Sequence, residues 1–315
     1  MLHGASHWPP NLSNMEFINR LSARRLRAPL CGATAALLAL AGTSARAQTS
    51  KVNALINLEF SDHYITPRGL DVENQGVVFQ PLVLILWDLY SDKDSEVNDI
   101  SLTTGAWDSV HTHPSGAIPG HWNEIDPISG LTFKIEKAWQ LDVFYTAFHS
   151  QVHSYPTSTN LDIKLTYHDI GSNGITLNPY VEFFDEVKNK ATVDLNPATS
   201  HTSSYFAFGI DPTMPLKNGL KLELPTFTNL VQKDFYQRFD GTGGGSGFAL
   251  VSTELKISGP LTFISGGYGH WSWYAGAQYY HLMNAGLLDG NEALNATAKR
   301  ERNLFQGHAG VTIFF

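Results

Sequence analysis

The sequence predicts an all-β fold, a transmembrane antiparallel up-and-down β-barrel of about 12 strands. Three observations carry that expectation. An export segment opens the chain, apolar residues recur at period two after it, and the connections between the alternating stretches are long and short in strict turn.

The export segment has a basic start at Arg24, Arg25 and Arg27, an apolar run from Leu30 to Gly42, and a small-residue site at Ala45-Arg46-Ala47. This predicts a secretory signal peptide over residues 1–47, cut before Gln48, with translation starting at Met1 or Met15. A retained N-terminal anchor is the alternative, but the run is short for a span. Residues 48–315 then form the barrel domain, with 16 basic against 28 acidic residues, net −12, and no cysteine, because Cys31 leaves with the signal. Stability in the exported chain must therefore come from something other than disulfides.

Composition agrees. The 315 residues are 43% hydrophobic and 12% aromatic but only 16% charged, against roughly 25% charged in soluble domains. That excludes disorder for most of the chain. Beyond residue 47 no stretch approaches the roughly 18 apolar residues of a spanning helix, and the mean hydropathy is only −0.15. A formal charge of −8 argues against a nucleic-acid partner.

Period two first appears at Val52–Phe60, where Val52, Ala54, Ile56, Leu58 and Phe60 alternate with Asn53, Leu55, Asn57 and Glu59. The next strands are Phe79–Tyr90, in which Leu82–Leu86 is apolar on both faces, and Ile100–Asp108. Leu131, Phe133 and Ile135 then face away from Thr132, Lys134 and Glu136. Trp139–His149 follows. The cleanest alternation opposes Leu161, Ile163, Leu165 and Tyr167 to Asp162, Lys164, Thr166 and His168. Ile175–Glu186, Ser203–Asp211, Leu220–Leu224, Gly247–Ile257, Trp271–His281 and Asn303–Phe315 complete the set.

Between these strands the short connections are 91–99, 137–138, 170–174, 212–219 and 258–269. The long ones are 61–76, 109–129, 150–158, 187–202, 226–245 and 283–302. In an up-and-down barrel every second connection lies at the same end, and outer-membrane barrels carry short turns at one end and long loops at the other. An even strand number places both termini at the short-turn end. In hydrocarbon every backbone polar group needs a partner, so exported strands cross a bilayer only as a closed barrel. Tyr90, Trp107, Trp139, Tyr145, Trp271, Trp273, Tyr279 and Tyr280 fall near strand ends, where aromatic girdles meet lipid headgroups.

The chain ends with Val311, Ile313 and Phe315 on one face of the last strand. A final strand ending in Phe resembles the assembly signal of bacterial outer-membrane proteins, which implies recognition by the outer-membrane insertion machinery.

Polar faces of the strands carry Glu59, Lys134, Glu136, Asp142, Asp162 and Lys164, and further on Glu182, Lys221, Glu223, Glu254 and Lys256. A charge facing lipid at midplane costs about 2 to 4 kcal/mol, which assigns these side chains to the lumen. The result is a wet, mixed-charge interior with a mild cation bias. A salt-bridge network filling a nonconducting barrel is the alternative.

Three other constellations bear on chemistry. His111, His113 and His121, with Glu124 and Asp126, have residue types that suit a divalent metal, although His, Asp and Pro are also ordinary in surface loops. The run Phe239–Gly247 lacks the Gly-Lys-Ser/Thr of a phosphate loop and the spaced carboxylates of a calcium loop. A lipid hydrolase needs a serine beside a histidine base; no G-x-S-x-G signature occurs, so no catalytic residue and no cofactor is assigned.

The segment Tyr64-Ile65-Thr66-Pro67-Arg68-Gly69-Leu70, followed by Gln80-Pro81 and Thr104-Gly105-Ala106-Trp107, resembles a group of uncharacterised Gram-negative outer-membrane β-barrel proteins of porin type. The likeness covers about the first sixty residues after the signal and the final strand. It implies a porin-like barrel in the bacterial outer membrane, in contact with its lipids and passing small hydrophilic solutes. Pro67 departs from the group's approach to Arg-Gly. Arg68 is expected either as a charge folded inward at a constriction or as a solvated loop residue. The function read from the sequence is passive diffusion of small hydrophilic solutes, with a closed structural or surface-recognition barrel as the first alternative and an outer-membrane lipid hydrolase as the second.

Overall fold

The computed structural model describes residues 51–114, 120–169, 171, 174–295 and 300–315; the expected signal peptide and its cleavage site lie outside the described residues. The chain begins with β1 (Val52–Ser61), then a small hairpin of β2 (Tyr64–Ile65) and β3 (Asp71–Glu73). The next strands are β4 (Val78–Ser91), β5 (Val97–His111), β6 (Trp122–Ile135), β7 (Trp139–Ser150), β8 (Ser158–Tyr167) and β9 (Tyr180–Lys188). These are followed by β10 (Ser204–Ile210), β11 (Thr213–Pro215), β12 (Lys221–Glu223), β13 (Thr226–Val231), β14 (Gly247–Pro260) and β15 (His270–Leu282). Helix α1 (Ala285–Leu294) and β16 (Asn303–Phe314) complete the described chain.

Apart from the β2–β3 hairpin, every strand belongs to one antiparallel sheet, and pairing of β1 with β16 and of β14 with β15 closes it. The pieces β10 and β11 are one spanning strand broken at Asp211-Pro212, and β12 and β13 are another broken at Leu224-Pro225. The barrel therefore has 12 strands. Proline explains both breaks, since it has no N–H to offer the ladder. Closure leaves no open edge, which an unpaired rim in lipid would forbid.

Several expected connections contain strand, among them 61–76 with the β2–β3 hairpin and 212–219 with β11. In 109–129, β5 continues to His111 and β6 begins at Trp122; in 226–245, the first residues are β13. Polar side chains such as Ser109, Glu124 and Asn229 masked the alternation there, because their polar faces point into the barrel. Conversely, Ile175–Pro179 precedes β9 instead of belonging to it, apart from one bridge between Thr176 and Thr213.

Phe60, Leu89, Leu255 and Phe305 are 52%, 56%, 54% and 65% exposed on the outer face, an apolar belt that suits acyl chains and would be a liability in water. Trp107 and Tyr280 depart from the expected girdle. Both are buried, Trp107 with its ring centroid 5.3 Å from that of Tyr64. Their phase along the strand turns them inward, and β5 runs on past Trp107 to His111. Membrane-spanning strands with this belt make the chain an outer-membrane type of barrel.

The decisive departure from a plain pore is at the long-loop end. Residues 64–73, carrying the β2–β3 hairpin, are buried throughout. Gly69 makes the tight turn with φ of 77°, its N–H donating to the Thr66 carbonyl at 2.7 Å. A Cβ at Gly69 would stand 2.8 Å from Leu250 and 2.9 Å from Leu282, so Gly69→Ala adds a clash to a left-handed backbone strain. We expect that variant to loosen the segment by about 1–3 kcal/mol, seen as faster protease cleavage within residues 62–77; unchanged protection would contradict the tight seat.

Candidate functional site: the buried segment and the inner wall

The buried segment is held by matched polar contacts. Asn229 of β13 donates to the Pro67 carbonyl at 2.9 Å, Tyr236 donates to the Arg68 carbonyl at 2.6 Å, and Asn291 of α1 donates to the Gly69 carbonyl at 3.0 Å. The Asp71 amide in turn donates to Asn291 Oδ1 at 3.0 Å. An exposed loop would leave these carbonyls to water. Here three separate elements supply side chains for three successive carbonyls, so the turn has a built receptor.

Helix α1 is positioned for this task by its own ends and flanks. Asn284 caps it, accepting from Gly286 N at 2.8 Å. Asp289, buried on the helix, accepts from Arg238 Nε at 2.6 Å and the Phe239 amide at 3.1 Å, and also pairs with Arg300. Burial works against the Asp289 charge, yet these hydrogen bonds hold its carboxyl below the usual range. The 189–203 loop is tied down by Lys190, which reaches Glu186 at 3.2 Å and the Asp234 carbonyl at 2.8 Å.

Arg68 lies at the tip of the segment and is fully buried, its guanidinium 5.2 Å from the Phe148 ring centre and 5.3 Å from that of Phe184. Of the two expectations for Arg68, the inward placement is the observed one. Beneath it, Tyr64 donates to Glu124 at 3.0 Å, Tyr155 donates to the same carboxylate, and Asp126 stands alongside. Burial and the Glu124 carboxylate push the Tyr64 and Tyr155 phenols up, which keeps both as donors.

Beside this cluster, His111 joins the wall to the segment. Its Nδ1 lies 3.3 Å from Glu73 and its Nε2 lies 2.9 Å from Ser109 Oγ. Serine, histidine and carboxylate in this order resemble a nucleophile with its base and orienting group. All three are buried under the segment, where the arrangement acts as a latch between β5 and β3. The three candidate metal-site histidines are not brought together. His121 Nδ1 contacts the His111 backbone carbonyl at 2.7 Å and His113 is exposed. Among the described residues no group of three His, Cys, Asp or Glu is arranged to hold a metal ion.

Deeper in the barrel the predicted polar faces meet in register. Asp142, Lys164 and Glu182 occupy one cross-strand row of β7, β8 and β9, and Lys164 sits 3.8 Å from the Tyr180 ring centre. Thr132 and Gln140 donate to Asp142 at 2.6 and 2.9 Å. Asp162 interacts with Glu182, to which Tyr205 donates at 3.3 Å. On the opposite wall His308 lies 2.9 Å from Glu254 and 3.4 Å from Glu59, and Lys256 lies 3.6 Å from Glu223. Lys134 and Lys221 are half-buried on the same inner phase as these groups. Glu136 is the exception. It stands in the turn after β6, exposed and at φ of 48°, because the strand ends at Ile135. In β16, Val311 and Ile313 lie on the face opposite to His308, and Phe315 follows the end of the strand.

No family model and no curated protein matches this chain. Among solved structures, the NanC porin matches with 9% identity and a TM-score of 0.45, over 82% of this chain and 98% of that one. An outer membrane channel from Pseudomonas putida matches with 9% identity and a TM-score of 0.46, over 85% and 96%. The beta domain of the Bordetella autotransporter Brka matches with 10% identity and a TM-score of 0.37, over 84% and 99%.

Interior groups that escaped the sequence reading of the lumen include His111, Glu124, Asp126, Glu186 and His308. The signal was present in part, since Glu124, Asp126 and Ile128 alternate, as do Gln306 and His308. What hid the first three was the assignment of residues 109–129 to a loop.

Proposed function

We propose that the chain, from about residue 48 onward, is an outer-membrane channel for small hydrophilic solutes, and that its own segment Tyr64–Glu73 sets the constriction. The carrying observation is a polar, mixed-charge interior that continues beneath a segment held by side-chain hydrogen bonds. A barrel built only as a scaffold has no need of charged rows such as Asp142, Lys164 and Glu182. Carboxylates outnumber lysines on the inner face, which supports a mild preference for cations. Transit would be passive, each solute exchanging water for the lumen's hydrogen-bonding groups. Delivery to the membrane would use Val311, Ile313 and Phe315 as the terminal assembly signal.

Conductance tests this reading. In planar bilayers under a salt gradient, the full chain is expected to conduct weakly and a variant with residues 64–73 replaced by a short Gly/Ser link to conduct several-fold more. Reversal potentials should report cation preference, weakened when Glu182 or Glu254 is made Gln. Anion preference would remove the charge argument. Silence from both proteins would favour the second reading, a closed surface barrel acting through its long loops, which the complete burial of residues 64–73 supports.

A further inference from the structure

A cavity of about 510 Å³ opens at the long-loop end, between the buried segment, α1 and the start of β16. Asp71, Glu301, His63, Asn74 and Gln75 line it, with Leu304 as an apolar wall. The contacts described above do not need this cavity. Its size lies in the range of small-molecule sites.

Asp71 sets its chemistry. The side chain is 3% exposed, and its Oδ1 has no hydrogen-bond partner among the described residues. A buried carboxylate without a full set of donors is costly. Glu73 and Glu301 add negative potential from either side, while His63 opposes it. Asn291 is committed to the backbone at Gly69 and Asp71. The site has an uncompensated acceptor, a second carboxylate and an apolar wall. It calls for a cation with a carbon body.

We propose that this cavity binds a small organic cation of the primary-amine class, its ammonium seated against Asp71 and its chain lying toward Glu301 along Leu304. A bare divalent ion fits less well, since no three acidic or histidine groups among the described residues are arranged around one point. The proposal goes beyond the channel reading and does not depend on solute passing through the lumen. A bound ammonium would supply the donors that Oδ1 lacks and would fasten the β2–β3 hairpin to the rim.

The pH dependence follows from the groups facing Asp71. These are His63 before β2, Glu73 on β3 and Glu301 before β16, while α1 presents neutral Asn291. Burial pushes the Asp71 carboxyl up to about 7. Its anionic form, which the amine requires, is therefore mostly lost at pH 6 and mostly present at pH 8.

Calorimetry on the full chain in detergent, with 1,4-diaminobutane as the probe, is the test. Saturable binding at pH 8 that weakens about tenfold at pH 6 is expected, with no binding of the isosteric 1,4-butanediol. Asp71→Asn should weaken the amine at least tenfold and Glu301→Gln several-fold, with heat-modifiable gel migration confirming that each barrel is folded. If Asp71→Asn does not fold, Glu301→Gln and the pH series decide. Equal binding of amine and diol, or full affinity in Asp71→Asn, overturns the proposal. So does calcium binding with no response to the amine, which would make the cavity a metal site. Because no current is measured, a silent bilayer experiment leaves this result standing.

Discussion

Arg68→Ala is expected to release the buried segment 64–73, raising open-channel conductance and exposing residues 62–77 to protease. The guanidinium lies over Phe148 and Phe184 at 5.2 and 5.3 Å and within electrostatic reach of Asp126. Removing it leaves a void between the rings and deprives the buried carboxylates of a compensating charge. Breaking a buried charge arrangement from one side costs about 3–5 kcal/mol. A change of that size shifts a closed–open equilibrium by about 10²–10⁴. Arg68→Lys should fall between the two, because an ammonium keeps the charge but loses the planar stack. Single-channel open probability and limited proteolysis, read together, check the expectation. An Arg68→Ala protein with unchanged protection and unchanged current would show that the segment is held without its tip.

The second large effect is a loosening of the same segment as pH rises from about 4 to about 8. In the docked state burial raises the Asp71 carboxyl to about 7 from an ordinary value of 3.8. Docking therefore takes up a proton. Its contribution is complete below the ordinary value and is lost as pH rises through about 7. The full difference amounts to about 4 kcal/mol by linkage. Hydrogen exchange in residues 64–73, corrected for intrinsic rates, should show protection falling toward pH 8 and then levelling. Asp71→Asn should be flat across that range and better protected at pH 8. The diamine should restore protection to the unsubstituted protein at pH 8, which links this prediction to the rim cavity. A fall in protection on going to acid pH would reverse the sign and rule out Asp71 as the titrating group.

Much of the barrel was legible because the physics of a spanning strand is local. Residues two apart share a face, so Asp162, Lys164 and Thr166 declare one side of β8 and Leu161, Ile163 and Leu165 the other. Loop lengths carried the topology for the same reason, since long and short connections must alternate between the ends. Legibility failed where a strand's inner face was polar and its outer face interrupted. Glu124 and Asp126 looked like loop residues and a metal set, although they line β6. Trp107 and Tyr280 looked like girdle rings, although phase along the strand puts them inside.

The interior site was half legible. Charged faces at Glu59, Asp142, Lys164, Glu182, Glu223, Glu254 and Lys256 followed from alternation, but their pairing did not. Register between neighbouring strands is what places Lys164 between Asp142 and Glu182, and a shift of one residue would turn each set outward. Arg68 shows the limit most plainly. Its local sequence, Thr66-Pro67-Arg68-Gly69, describes a tight turn equally able to stand in solvent.

By itself, the sequence determined that this chain forms a closed, membrane-spanning barrel with a charged inner face, because strand periodicity and backbone satisfaction in lipid leave no other solution. Only the tertiary structure decided that residues 64–73 are buried against the inner wall of the barrel. That outcome depends on Asn229, Tyr236 and Asn291, more than 160 residues away along the chain, meeting three carbonyls of one turn. Contacts of that range are made by closure of the barrel and have no trace in local pattern.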